Sequence, residues 1–170
     1  EPDVQSAPLL DRVQRECIDY FWSGAEPTSG LARERIHLDG IYPLNDRDVV
    51  TSGGSGFGLM AILVGIERGF IERLAAIKRF ELILTSLETA DRYHGAWSHW
   101  WYGPTGKTKP FSKKDDGGDL VETAFLVQGL LTVREYFAKG TEREQAIANR
   151  CNKLWNDIEW SFYTQGKEEG

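Results

Sequence analysis

Five segments of this chain carry apolar side chains at helical spacing, and they are of two kinds. Residues 8–22 place Leu10, Val13, Cys17 and Phe21 on one stripe, with Asp11, Arg12, Arg15 and Asp19 largely opposite, the pattern of an amphipathic helix. Residues 71–90 repeat it with Leu74, Ile77, Phe80, Leu84 and Leu87, and residues 142–163 with Ile147, Cys151, Leu154, Ile158 and Phe162. Between them lie 57–68, apolar all round, and 119–138, apolar from Ala124 to Val133 except chiefly at Gln128, Gly129 and Thr132. Helices apolar on every side are covered on most sides, so these two are expected to be buried.

Alternation of striped and fully apolar helices predicts an all-α fold with an outer and an inner layer. The stretches 24–55 and 92–118, which lead into the apolar helices, are long and rich in Gly, Pro and aromatic residues, whereas the returns near Gly69 and Gly140 are short. Long loops of this kind usually carry function, and this connectivity puts both at one end. Ser52-Gly-Gly-Ser55 aligns without a gap through Asp116-Gly-Gly-Asp119 and into the two apolar helices, which suggests a structural repeat of one outer and one inner helix. At that repeat length the chain holds fewer than three pairs, so a ring of six would need far more sequence, and 1–170 reads as one portion of a single domain without an internal boundary.

Composition narrows the function. Twenty Lys plus Arg against 26 Asp plus Glu give a formal charge of -6, which argues against nucleic-acid or anionic-membrane partners, since those are held mainly by basic patches. The longest apolar run, around Leu59 to Val64, is far below the roughly 20 residues of a membrane span. Two cysteines, Cys17 and Cys151, lie outside metal-ligand spacing and both sit on the apolar stripes, where buried thiols are expected. The opening Glu-Pro-Asp-Val-Gln-Ser stretch has no signal-peptide pattern.

Two clusters carry candidate chemistry. Asp119 and Glu122 stand three apart at the start of an inner helix, so both face one way at its open end, and the preceding loop delivers Asp115. Carboxyls crowded in a partly enclosed site titrate apart, and an acid beside a base is what a glycosidase uses. The same spacing also fits a helix capping box. The second cluster, His94 to Pro104, holds Trp97, His99, Trp100, Trp101 and Tyr102 in a loop on the same end, where ring faces stack on sugars. Ser29 to Asp39 brings Arg33 and Arg35 to that rim as further candidates for substrate contact. Neither His94 nor His99 has an acid partner at metal spacing, so no metal or cofactor is expected.

These motifs resemble a known family. Thr51-Ser-Gly-Gly-Ser-Gly-Phe-Gly58, the Trp97 to Tyr102 cluster, Asp115-Asp-Gly-Gly-Asp-Leu-Val-Glu-Thr-Ala-Phe-Leu-Val-Gln-Gly129 and Leu154 to Tyr163 are similar to the glucoamylase-like glycoside hydrolases that include bacterial endo-β-1,2-glucanases. The resemblance implies a partial (α/α)6 toroid, its N-terminal portion, with a pocket at one end lined by Asp115, Asp119 and Glu122. It implies a glycoside hydrolase acting on a β-glucan, β-1,2-linked, by an inverting acid/base mechanism, in a periplasmic or secreted protein. The family places a further pocket glutamate beyond the five helices, so this chain carries part of the active site and is open to self-association. A carbohydrate-binding toroid without catalysis is the alternative.

Overall fold

The structure, a computed structural model, describes residues 7–165, so the opening stretch read for a signal pattern lies outside the described residues. Two helices form its centre because glycines let their backbones touch. These are α2 (Ser52–Glu67) and α4 (Leu120–Phe137). A Cβ on Gly56 would stand 2.1 Å from the Phe125 carbonyl oxygen, and one on Gly129 would stand 2.4 Å from that of Gly56. Glycine inside a helix costs about 1 kcal/mol relative to alanine, so its use at both positions is explained by the close approach it permits. Gly53 lies beside Glu122 near the start of both helices and Glu67 hydrogen-bonds Tyr136 near their ends, so the two run parallel.

Outside them lie α3 (Arg73–Thr89) and α5 (Glu142–Asn156), and α1 (Ala7–Trp22) packs against α2. The outer helices are also parallel to each other. Arg143 forms a bidentate pair with Glu81 at 2.6 and 2.7 Å, and seven residues on Arg150 does the same with Glu88 at 2.8 Å. One core joins the layers, with Phe80, Leu87, Leu126, Leu130, Val133, Phe137, Ile147 and Cys151 all buried. Burial pushes the Cys151 thiol up to about 12, so it stays protonated at neutral pH.

The layered all-α arrangement matches the alternation of the sequence, with several differences. In α1, Leu10, Val13 and Cys17 are exposed, and the buried position is Ile18. The side of α1 that meets α2 presents Ile18 and Phe21, which approach Gly65 and Gly58. Helix α2 begins at Ser52, not at 57, and takes the Gly-Gly pair into its first turn. Gly117-Gly118 instead stays in the loop before α4, so the two Gly-Gly pairs are not structural equivalents; the matching positions are the N-caps Thr51 and Asp119. The last segment breaks after Asn156 and resumes as the short α6 (Trp160–Tyr163). Neither inner helix is covered all round, since Phe57 and Val64 on α2 and Val121 and Phe125 on α4 are exposed, with the Phe57 and Phe125 rings 5.4 Å apart.

The long loops contain short strands. β1 (Val49–Thr51), β4 (Trp100–Tyr102) and β5 (Lys107–Lys109) form an antiparallel sheet in the order β1-β4-β5, with Val50 opposite Trp101. β2 (Arg92–Tyr93) and β3 (Ala96–Trp97) form a hairpin whose turn, His94-Gly95, has positive φ at both residues, the geometry of a tight two-residue turn. The β1–β4 ladder binds the two long connections to each other, so both lie at the N-terminal end of the inner helices, as their lengths suggested.

Gly56→Ala or Gly129→Ala is expected to lower unfolding stability by about 2 kcal/mol or more through overpacking. Gly69→Ala, with open space around it and φ of +65°, loses about 1 kcal/mol from backbone strain alone. Urea midpoints compare them; equal small losses at all three would contradict the contact.

Candidate active site

The chain between α3 and α4 crosses the N-termini of both inner helices and is pinned to each. On α2, Ser52 Oγ donates to the Ser98 carbonyl at 3.0 Å and Ser52 N donates to that of His99 at 3.3 Å. On the α4 side, Asp119 N donates to the Trp97 carbonyl at 2.8 Å, and Thr123 Oγ1 accepts from Trp97 N at 3.0 Å. Helix starts leave unpaired N–H groups, and here the crossing strand and the nearby acids use that need as an attachment.

Asp119 is the N-cap of α4, its Oδ1 accepting from Glu122 N at 3.0 Å. The capping box allowed by the spacing is only half made, because Glu122 does not return to Asp119 N. It reaches across to the other inner helix, where Oε2 accepts from Gly53 N at 2.9 Å and from Thr51 Oγ1 at 3.2 Å. Glu122 thus caps α2 from α4. The complete capping box is Thr141 with Glu144 on α5, which a Thr-x-x-Glu search of the sequence would have found.

His99 joins the acids. Its Nδ1 lies 3.0 Å from Asp119 Oδ2 and 3.7 Å from Asp115 Oδ2, so the expectation that His99 lacks an acid partner is corrected. Both acids lie beyond a loop and become neighbours only through the fold, which spacing along the chain cannot register. Ligating atoms of His99, Asp115 and Asp119 fall within 4.8 Å of one another, a donor set of metal-binding type among the described residues. Asp119 Oδ1 is engaged in the helix cap, and Oδ2 is the oxygen that meets His99. The Asp115 side chain accepts no hydrogen bond among the described residues and opens on a hollow of about 460 Å³ lined by Tyr93, Lys114, Gly118 and Tyr163. Burial pushes the Tyr163 phenol up, and its hydroxyl donates to the Tyr93 carbonyl.

The rings divide. Trp100 is partly buried and Tyr102 exposed, which leaves both available, with Lys109 Nζ 4.7 Å above the Trp100 ring. Trp97 and Trp101 are instead core residues, 0% and 1% exposed, so the sugar contact expected of them is corrected. The Trp97 indole donates to the Leu87 carbonyl at 3.1 Å, and the Arg92 guanidinium sits 4.1 Å from the ring centre. Alternation along β4 turns Trp101 inward between Trp100 and Tyr102, while both residues of β3 are buried, and strands this short leave no readable alternation in the sequence. Phe111, not singled out before, stacks on His99 with centroids 4.2 Å apart at 11°. Arg33 pairs with Asp48 at 3.7 Å, and Arg35 pairs with Glu34 and lies 3.8 Å from buried Asp46. Neither arginine contacts the three acids among the described residues. His94, Nδ1 2.8 Å from Glu159 and stacked on Phe162, anchors α6.

No protein-family profile matches the chain. It is 51% identical over 161 residues to the exo β-1,2-glucooligosaccharide sophorohydrolase (non-reducing end) of Parabacteroides distasonis, covering 94% of this chain and 21% of that protein. Among solved structures, the endo-β-1,2-glucanase of Chitinophaga pinensis, in complex with sophorotriose and glucose, is 57% identical with a TM-score of 0.94, over 97% of this chain and 40% of that one. A Bacteroides caccae protein provisionally assigned as a glucoamylase is 60% identical with a TM-score of 0.93, over 95% of this chain and 39% of its own. The fold is that of these glucoamylase-like proteins, an all-α partial (α/α)6 toroid. The chain spans less than half the length of each of these relatives.

Glu122→Ala, which strands the buried Gly53 N–H, is expected to cost about 1–3 kcal/mol. Asp119→Ala, which removes an N-cap, costs about 1 kcal/mol. Urea unfolding of both variants checks the order; an Asp119→Ala loss larger than that of Glu122→Ala would refute the inter-helix cap.

Proposed function

We propose that this chain, a homologue of β-1,2-glucanases along nearly its whole length, forms part of the active site of a glycoside hydrolase that cuts β-1,2-linked glucan by an inverting acid/base mechanism. The observation that carries the reading is the grouping of Asp115 and Asp119 with His99 at the N-terminal end of the inner helices, with Trp100 beside the His99 ring and Glu122 in the first turn of α4. Inversion uses two carboxyls on opposite sides of the bond, one protonating the leaving oxygen and the other activating water, roughly 6.5–9.5 Å apart. Asp119 and Glu122 are bound into helix ends, so the geometry favours Asp115 as the group of this chain that exchanges a proton, with Asp119 and Glu122 shaping the charge around it. Its counterpart is proposed to come from outside these residues, where the family places another pocket glutamate. Trp100 and Tyr102 would offer ring faces to sugar. The resemblance supports work in the periplasm or outside the cell.

The full-length protein is expected to release new reducing ends from β-1,2-glucan and not from β-1,3- or β-1,4-glucan, with α-anomeric product seen first by proton NMR. Asp115→Asn should lower kcat by about 10²–10⁴-fold. Binding of sophorose-type oligosaccharides by calorimetry without any hydrolysis would favour the non-catalytic toroid instead.

The exposed row Phe57, Val64, Val121 and Phe125 supports a second proposal, that residues 1–170 alone self-associate through it. Light scattering is expected to give more than the monomer mass, reduced by Phe57→Ser with Phe125→Ser; a clean monomer overturns it.

A further inference from the structure

We infer that His99 is a positioning residue for the acid pair Asp119 and Asp115 rather than a sugar contact, an inference that rests on the hydrolytic reading above. Two aromatic neighbours hold its ring. Phe111 stacks on it at 4.2 Å, nearly parallel, and the edge of Trp100 stands 5.6 Å away at 73°. The backbone is fixed as well, since the His99 carbonyl accepts from Ser52 N at the start of α2. A ring face already covered by Phe111 is not free for a sugar.

What the ring offers is one nitrogen. Nδ1 faces two carboxylate oxygens, at 3.0 Å on Asp119 and 3.7 Å on Asp115, a nitrogen that can present an N–H to both. Asp119 is the nearer of the two. Asp119 has a neighbour at each oxygen, Glu122 N hydrogen-bonded to Oδ1 and His99 Nδ1 in close contact with Oδ2. Asp115 stands farther from the same nitrogen and its side chain accepts no hydrogen bond among the described residues, which leaves its carboxyl open at the hollow. The imidazole stands against one capped carboxylate and one open one, and its role is to keep the first in place while leaving the second free.

The test uses the full-length enzyme and two substitutions that divide the ring from its proton. His99→Asn places an amide N–H near the position of Nδ1, while His99→Phe keeps the stack on Phe111 and has no donor. His99→Asn is expected to keep kcat within about threefold, whereas His99→Phe loses on the order of 100-fold in kcat with KM changed less than about twofold. An unchanged kcat in His99→Phe, equal losses in both variants, or a loss carried by KM overturns the inference. Should the wild-type enzyme release no sugar from β-1,2-glucan, the hydrolytic reading fails by itself. The role of His99 is then decided on ring ¹⁵N shifts of the folded chain: a protonated Nδ1 that responds to Asp119→Asn supports it, and an unprotonated Nδ1 overturns it.

Discussion

Everything at the candidate site depends on how closely α2 and α4 approach. Because Gly56 and Gly129 carry no side chain, the two backbones meet directly, and the helices start at nearly the same height. Only at that separation can Glu122 of one helix serve the first turn of the other through Gly53 N. A larger residue at either glycine would open the gap and draw the carboxylate off its donors. Core packing and site geometry are thus consequences of one contact, in which lost helix propensity is traded for proximity.

The strand that crosses the two helix starts converts this contact into a platform. Helix N-termini supply unpaired donors and a positive dipole end, which suit carbonyls and carboxylates. Ser52, Asp119 and Thr123 take the backbone of Trp97 to His99 onto that platform, and the acids then hang beside it. Structural and chemical readings of Asp119 and Glu122 are therefore not rivals. Each caps a helix, and capping fixes Asp119 next to Asp115 and His99 and carries Glu122 across to Thr51 and Gly53.

Periodicity made the layers legible, since Phe80, Leu84, Ile147 and Leu154 fall where their spacing puts them. It failed for α1, where two apolar rows compete and the one containing Leu10 and Val13 faces outward. The early start of α2 was hidden because glycines read as loop, while tertiary contact holds Gly53 and Gly54 helical. At the site, local spacing grouped Asp119 with Glu122 and placed Asp115 nearby, but it could not see that Glu122 crosses to α2. Strands of two or three residues leave too short an alternation to read, so the inward turn of Trp97 and Trp101 was missed. The partnership of His99 with two acids arises from chain crossing alone.

The paired arginines of α5 act on alignment more than on strength. Arg143 and Arg150 meet Glu81 and Glu88 at the same separation along both helices, two full turns apart. Exposed pairs of this kind contribute little energy each. Yet sliding α5 by a single turn would leave all four charges without mates, and sliding by two would match only one couple. The outer layer therefore carries a ruler with two marks, which sets the height of α5 and, through the short Gly140 return, that of α4 and of the acids at its far end.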